Sequence, residues 1–285
     1  MFLRMGDHKR SVPALTLVPN LLTTLALCCG LAGLHFALAE DWDRALAAIV
    51  LSAVFDVLDG AAARILRVTS RFGAVLDSLS DFLAFGVVPA LILQQSLLHA
   101  TVPTPGSKAE DTLGLVAVMI FAVCAALRLA RFTSALLPAA PIAHAATPPP
   151  PPGKKPGVFF VGMPTPAGAA VALIPAFLLA SDEVPQVLDV PRWVIAAYVI
   201  VIGLLMVSTI PMFALKGVRV GRRWMAPLLL LVVVLATLML REPWLVLAGI
   251  ATLYVLTIPW AWALHRRAKK RETQTATPGV VGRVG

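Results

Sequence analysis

The chain has 285 residues, of which 59% are hydrophobic and only 14% charged. A soluble globular domain carries about 25% charged residues, so a water-soluble enzyme is excluded. The net charge of +9 does not point to nucleic acid, because the basic residues alternate along the chain and form no single patch.

Apolar runs of about 20 residues, enough to cross a hydrocarbon core of ~30 Å, recur near 15–38, 45–66, 73–98, 112–130, 164–180, 193–215, 225–240 and 244–263. They predict an all-α polytopic transmembrane bundle of eight spans. The first follows Arg4, Lys9 and Arg10, but it is too long for a signal peptide and lacks a small-residue cleavage site, so it reads as a retained helix. Cys28, Cys29 and Cys124 fall inside spans and read as small packing residues with no disulfide or metal role. Residues 138–157 hold eight prolines, including the run from Pro148 to Pro152, together with Lys154 and Lys155. That composition gives a stiff cytoplasmic loop, either a spacer or a docking segment. The membrane domain is therefore 1–263, and 264–285 form a basic tail with no need for packed structure.

All but Arg44, Lys108, Arg192 and Arg241 of the 24 Lys and Arg residues fall on one side of the eight spans. Positive residues collect on the cytoplasmic side, which puts both termini there. Attraction to anionic headgroups is a secondary use of the same charge. No internal repeat supports a transporter of inverted-repeat type.

The chemistry-bearing segment runs from Asp56 to Asp81. Asp56 and Asp59 are three apart and Asp77 and Asp81 four apart, so on helices each pair shares a face. The turn between the two helices carries Arg64, Arg67 and Arg71, which makes a hairpin whose acidic faces can meet. Asp56 lies about 12 Å along the helix from Arg64, placing the site below the cytoplasmic surface. An intramembrane Asp costs about 2.5–3.5 kcal/mol, so the carboxylates need protons, cations or the arginines of the turn. With no His or Cys beside them, an oxygen-only set suits Mg²⁺, Mn²⁺ or Ca²⁺, and two divalent cations balance four carboxylates. Gly60 with Ala61, Ala62 and Ala63 leaves a bare patch next to Asp59, suited either to a flat ligand ring or to close helix packing. An ion-coupled transporter would instead spread its acids along a path through the bilayer.

The segment resembles the signature of the CDP-alcohol phosphatidyltransferases, met in full by Asp56, Asp59-Gly60, Ala63-Arg64, Gly73, Asp77 and Asp81. The resemblance implies a two-metal site with Asp56, Asp59, Asp77 and Asp81 as ligands and Asp81 also as general base. It further implies that Gly60, Ala63, Arg64, Ser70 and Gly73 border the CDP moiety of a CDP-diacylglycerol donor, with Pro19 and Asn20 closing it from the first helix. The stretches 19–34, 77–90, 126–132, 162–170 and 205–211 are similar to membrane-embedded bacterial phosphatidylserine synthases. Thr133 stands where that group often has Asn, and the 138–157 loop has the look of an insertion. L-serine as acceptor, a bacterial cytoplasmic membrane and a homodimer are what this likeness implies. Synthases of phosphatidylglycerophosphate or phosphatidylcholine are the alternatives within the family. Arg128 and Arg131, three apart near the cytoplasmic end of the fourth span, either anchor that helix or bind serine's carboxylate or a donor phosphate.

Overall fold

A computed structural model describes residues 17–68, 70–99, 107–136, 159–181, 190–208, 211–213 and 225–258. The helices are α1 (Leu17–Leu38), α2 (Trp42–Leu66), α3 (Arg71–Leu98), α4 (Ser107–Leu136), α5 (Thr165–Ala172), α6 (Ile174–Leu179), α7 (Arg192–Val207), α8 (Met225–Arg241) and α9 (Pro243–Ile258). Four of them, α1 to α4, are long and apolar enough to cross a membrane, and α7 to α9 are shorter apolar helices. Their outward faces carry large apolar side chains such as Leu21, Leu31, Leu51, Val57, Met119 and Val201. A soluble monomer rarely exposes so much contiguous apolar surface. The chain is an integral membrane protein. Its loop 138–157, its tail 264–285 and the basic residues at 4–10 and 216–223 lie outside the described residues.

α1 packs along α2, α4 packs along α7, and α3 runs between the two pairs. The core between them is built from fully buried Leu46, Phe85, Val88, Phe121, Leu173 and Met206. Small residues set the close approaches. A Cβ on Gly203 would come within 3.1 Å of Phe121 Cα, so its absence lets α7 lie against α4. Ser52 Oγ donates to Ala26 O at 2.8 Å and ties α2 to α1.

Two expected spans differ from the observed helices. The run 164–180 is divided at Leu173 into α5 and α6. Pro175 has no N–H to give Val171 O, and Tyr198 Oη donates to that carbonyl instead, at 2.5 Å. The run expected at 193–215 ends at Val207, where Ser208 turns extended. Residues Pro211–Phe213 then form a strand, β2, that pairs antiparallel with β1, Phe159–Val161. Among the described residues this three-residue ladder is the exception to helical structure. It draws the chain past Gly162, whose φ is +81° and where a Cβ would lie 2.8 Å from Ser208 O, so there is no room for a side chain.

α3 contains two π-turns, Leu83–Val87 and Gln94–Leu98. The first precedes Pro89, which cannot donate to Phe85 O, and the wider turn absorbs the mismatch two residues beyond Asp81. Contacts across helices also fix which ends lie together. Trp244 Nε1 at the start of α9 donates to Asp43 Oδ1 at the start of α2, at 3.0 Å. Arg192 at the start of α7 pairs with Glu110 in the first turn of α4, at 3.3 Å.

Candidate active site

The site begins with a tight turn. α2 ends at Arg67 in the left-handed conformation (φ +52°), and Val68 N–H closes the end onto Ala63 O at 3.1 Å. Two residues later Ser70 caps α3, its Oγ accepting from Gly73 N at 2.9 Å. A Cβ on Gly73 would lie 2.7 Å from Asn20 Oδ1, so the bare backbone there lets α1 close over the start of α3. The hairpin thus sets the acidic faces of α2 and α3 opposite each other, with α1 as a third wall.

Oxygens of Asp56, Asp59 and Asp77 all lie within 4.8 Å of one another. Asp81 is not part of that triple, but its carboxyl interacts with that of Asp56 and with the charge of Arg128 on α4. None of the ion pairs among the described residues involves these four acids. Neutralisation by the arginines of the turn is therefore not what the structure shows. Arg64 is exposed and folds back, its Nε donating to Gly60 O at 2.8 Å. Three converging carboxylates without basic partners form an oxygen-only donor set that suits a hard divalent cation, so the cluster can hold a metal ion. Asp56, Asp59 and Asp77 meet in one place with Asp81 next to Asp56, unlike the spread expected of an ion-coupled transporter.

Beside the cluster lies a cavity of about 160 Å³, lined by Pro19, Asn20, Thr23, Asp59, Gly60, Ala63, Val68, Ser70, Gly73, Ala74 and Asp77. Of the residues expected to border the donor, Pro19, Asn20, Gly60, Ala63, Ser70 and Gly73 line it and Arg64 does not. A Cβ on Gly60 would meet only the Arg64 guanidinium, at 3.6 Å. Its bareness therefore serves the cavity and not helix packing.

Arg128 and Arg131 are separated. Arg128 is half-buried, donates from Nη1 to the buried Thr165 Oγ1 at the start of α5, and has an Nε–H with no partner among the described residues. Arg131 is exposed. Three residues leave a 60° difference around the helix, and the edge of the buried face falls between them. Sequence reasoning missed Thr23, whose Oγ1 lies 2.5 Å from Asp59 Oδ2, and Thr165. It also missed the role of Thr133, whose Oγ1 lies 2.5 Å from Ser78 Oγ and joins α4 to α3. Single hydroxyls in apolar helices form no pattern that hydropathy or spacing reveals.

A helical frame of membrane-spanning length thus sinks a carboxylate cluster beside a cavity. The chain belongs to the CDP-alcohol phosphatidyltransferase family, whose profile matches residues 16–201, and a second profile, CDP-alcohol phosphatidyltransferase 2, matches 223–259. Among its relatives is a Mycobacterium tuberculosis protein named CDP-diacylglycerol–serine O-phosphatidyltransferase, 35% identical over 93% of this chain and 90% of the relative. Proteins of the same name from Helicobacter pylori and Methanocaldococcus jannaschii are 27% and 34% identical. The first match covers 85% of this chain and 89% of the relative, and the second 57% and 60%.

Proposed function

We propose that the chain transfers the phosphatidyl group of CDP-diacylglycerol to L-serine, giving phosphatidylserine and CMP. The observation that carries this reading is the meeting of Asp56, Asp59 and Asp77 beside a cavity lined by six of the seven expected donor-binding residues. The serine-specific name recurs among relatives aligned over nine-tenths of the chain, which supports serine over other acceptors.

Asp56, Asp59, Asp77 and Asp81 would hold two divalent cations, Mg²⁺ or Mn²⁺, with Ca²⁺ able to occupy the same oxygens. When bound, such ions supply charge stabilisation to the phosphates and to the departing oxygen. The protein's own part is positional. Asp81, beside Asp56 and facing Arg128, takes the proton from the serine hydroxyl as that oxygen bonds to the β-phosphorus. The bond from that phosphorus to the CMP oxygen breaks, and CMP leaves. Pro19, Asn20, Gly60, Ala63, Ser70 and Gly73 hold the nucleotide, and Arg64 at the rim meets it on entry. Arg128, with its unpartnered Nε–H, receives serine's carboxylate. Arg131, exposed, anchors α4 to the headgroup region. The acyl chains stay in the bilayer.

We further infer eight spans, counting α5 and α6 as one, with both ends cytoplasmic and the site open to the cytoplasm of a bacterial cell. The Trp244–Asp43 and Arg192–Glu110 contacts support this, since alternation puts those helix starts on one side. A catalytic domain of 1–263 with a basic tail, acting as a homodimer, completes the reading.

Membranes containing the protein, given labelled CDP-diacylglycerol and a panel of serine, glycerol 3-phosphate, choline and inositol, test it. Phosphatidylserine as the labelled product is expected, and a different labelled lipid would replace serine as the acceptor.

A further inference from the structure

Two hydroxyls interrupt the apolar seam between α1 and α2. Ser52 takes a backbone carbonyl across the seam, the partner a buried hydroxyl commonly finds. Thr23 does something different. A helical threonine can satisfy itself on the carbonyl four residues back, and Pro19 O lies 3.0 Å from Thr23 Oγ1. Yet the shorter contact, 2.5 Å, runs across to Asp59 Oδ2. Both residues are buried, at 4% and 6% exposure. The hydroxyl has one proton, and an O–H···O⁻ bond is typically about 2.5–2.7 Å long. The geometry is that of donation from Thr23 Oγ1 to Asp59 Oδ2, with the Pro19 carbonyl as secondary acceptor. Thr23 needs no such contact to keep its helix.

Resting on the metal-site reading above, we propose that Thr23 is a positioning residue, which fixes the Asp59 carboxylate in the orientation that binds a divalent cation. A carboxylate offers about four lone-pair sites. Thr23 takes one of them and stops rotation of the group, while an Asp59 oxygen stays within 4.8 Å of oxygens on Asp56 and Asp77. The same side chain lines the cavity wall, so α1 contributes to the metal site without supplying a ligand. Hydrogen bonds that orient metal ligands are commonly worth about 10–100-fold in affinity or activity.

The test is Mn²⁺ binding to the purified full-length protein in detergent, read from the spin-resonance signal of free Mn²⁺ without substrate or turnover. Thr23→Val keeps the shape and removes the hydroxyl, and Thr23→Ser keeps the hydroxyl. We expect Thr23→Val to raise the Mn²⁺ Kd by about tenfold and Thr23→Ser to stay within about twofold of wild type. In an Asp59→Asn background Thr23→Val should add no further loss, because the group it positions is gone. Should Thr23→Val not purify folded, Thr23→Ala makes the same comparison. Wild-type affinity in the hydroxyl-free variant, or equal losses in the serine and valine variants, would overturn the role of Thr23 alone. Failure of the wild-type protein to bind Mn²⁺ would overturn the metal site with it.

Discussion

Asp56, Asp59 and Asp77 share a cluster but not an environment. Asp59 is buried and held by Thr23, whereas Asp56 interacts with Asp81, which lies outside the triple and within reach of the Arg128 charge. Removing one charge from the triple should therefore act mainly through the metal. Asp56→Asn, Asp59→Asn and Asp77→Asn should each raise the Mg²⁺ or Mn²⁺ concentration for half-maximal rate by at least about tenfold. Asp81→Asn should instead lower the single-turnover rate, by about 10²–10⁴-fold. Full activity in Asp81→Asn with an unchanged pH profile would remove it as the base. At the acceptor end the two arginines should separate. Arg128→Lys keeps charge and loses the planar fork, so the serine KM should rise about tenfold with the CDP-diacylglycerol KM nearly unchanged. Arg131→Lys should behave as wild type. A raised CDP-diacylglycerol KM in Arg128→Lys would move that residue to the donor phosphate. The aspartates were legible because spacings of three and four reveal a helical face whatever the tertiary structure. The difference between Arg128 and Arg131 was not, because it depends on where α5 sets Thr165.

Helix ends and breaks carry the next level. Gly73→Ala would drive a methyl toward Asn20 Oδ1 and Ser70 Oγ, which would lie 2.7 and 2.9 Å away. It should cost about 1 kcal/mol of stability through the cap and raise the CDP-diacylglycerol KM, measured by thermal unfolding in detergent and initial rates. Unchanged values in both would show that α1 does not close over α3 as described. Tyr198→Phe removes the donor that replaces Pro175 at Val171 O, and should cost about 1–2 kcal/mol without altering either substrate KM. No loss of stability would mean that carbonyl finds another partner. The long helices α1 to α4 were legible because their apolar runs end in charged or proline-containing turns. The end of α7 was not: apolar residues continue through Ile210, Met212 and Phe213, and hydropathy cannot register a change from helix to strand. The β1–β2 pairing joins segments about fifty residues apart, a contact that no local pattern announces.

Across the whole molecule, the membrane orientation and the reaction depend on each other, because a water-soluble acceptor must reach the carboxylates from one side. Single cysteines at Lys108 or Arg192, in a chain whose Cys28, Cys29 and Cys124 are replaced by alanine, should react only with reagent outside the cell. Cysteines at Lys154 or Arg267 should react only from the cytoplasm. Labelling of position 154 from outside would reverse the orientation and bring the site to the wrong face. The transfer itself is tested most directly with L-serine carrying ¹⁸O in its hydroxyl, given to the purified protein with CDP-diacylglycerol and Mn²⁺. Phosphatidylserine that keeps the ¹⁸O in its phosphoester bridge, released together with unlabelled CMP and abolished by chelation, is the predicted result. Absence of phosphatidylserine, or CMP that carries the label, would contradict the transfer of a phosphatidyl group onto serine at this site.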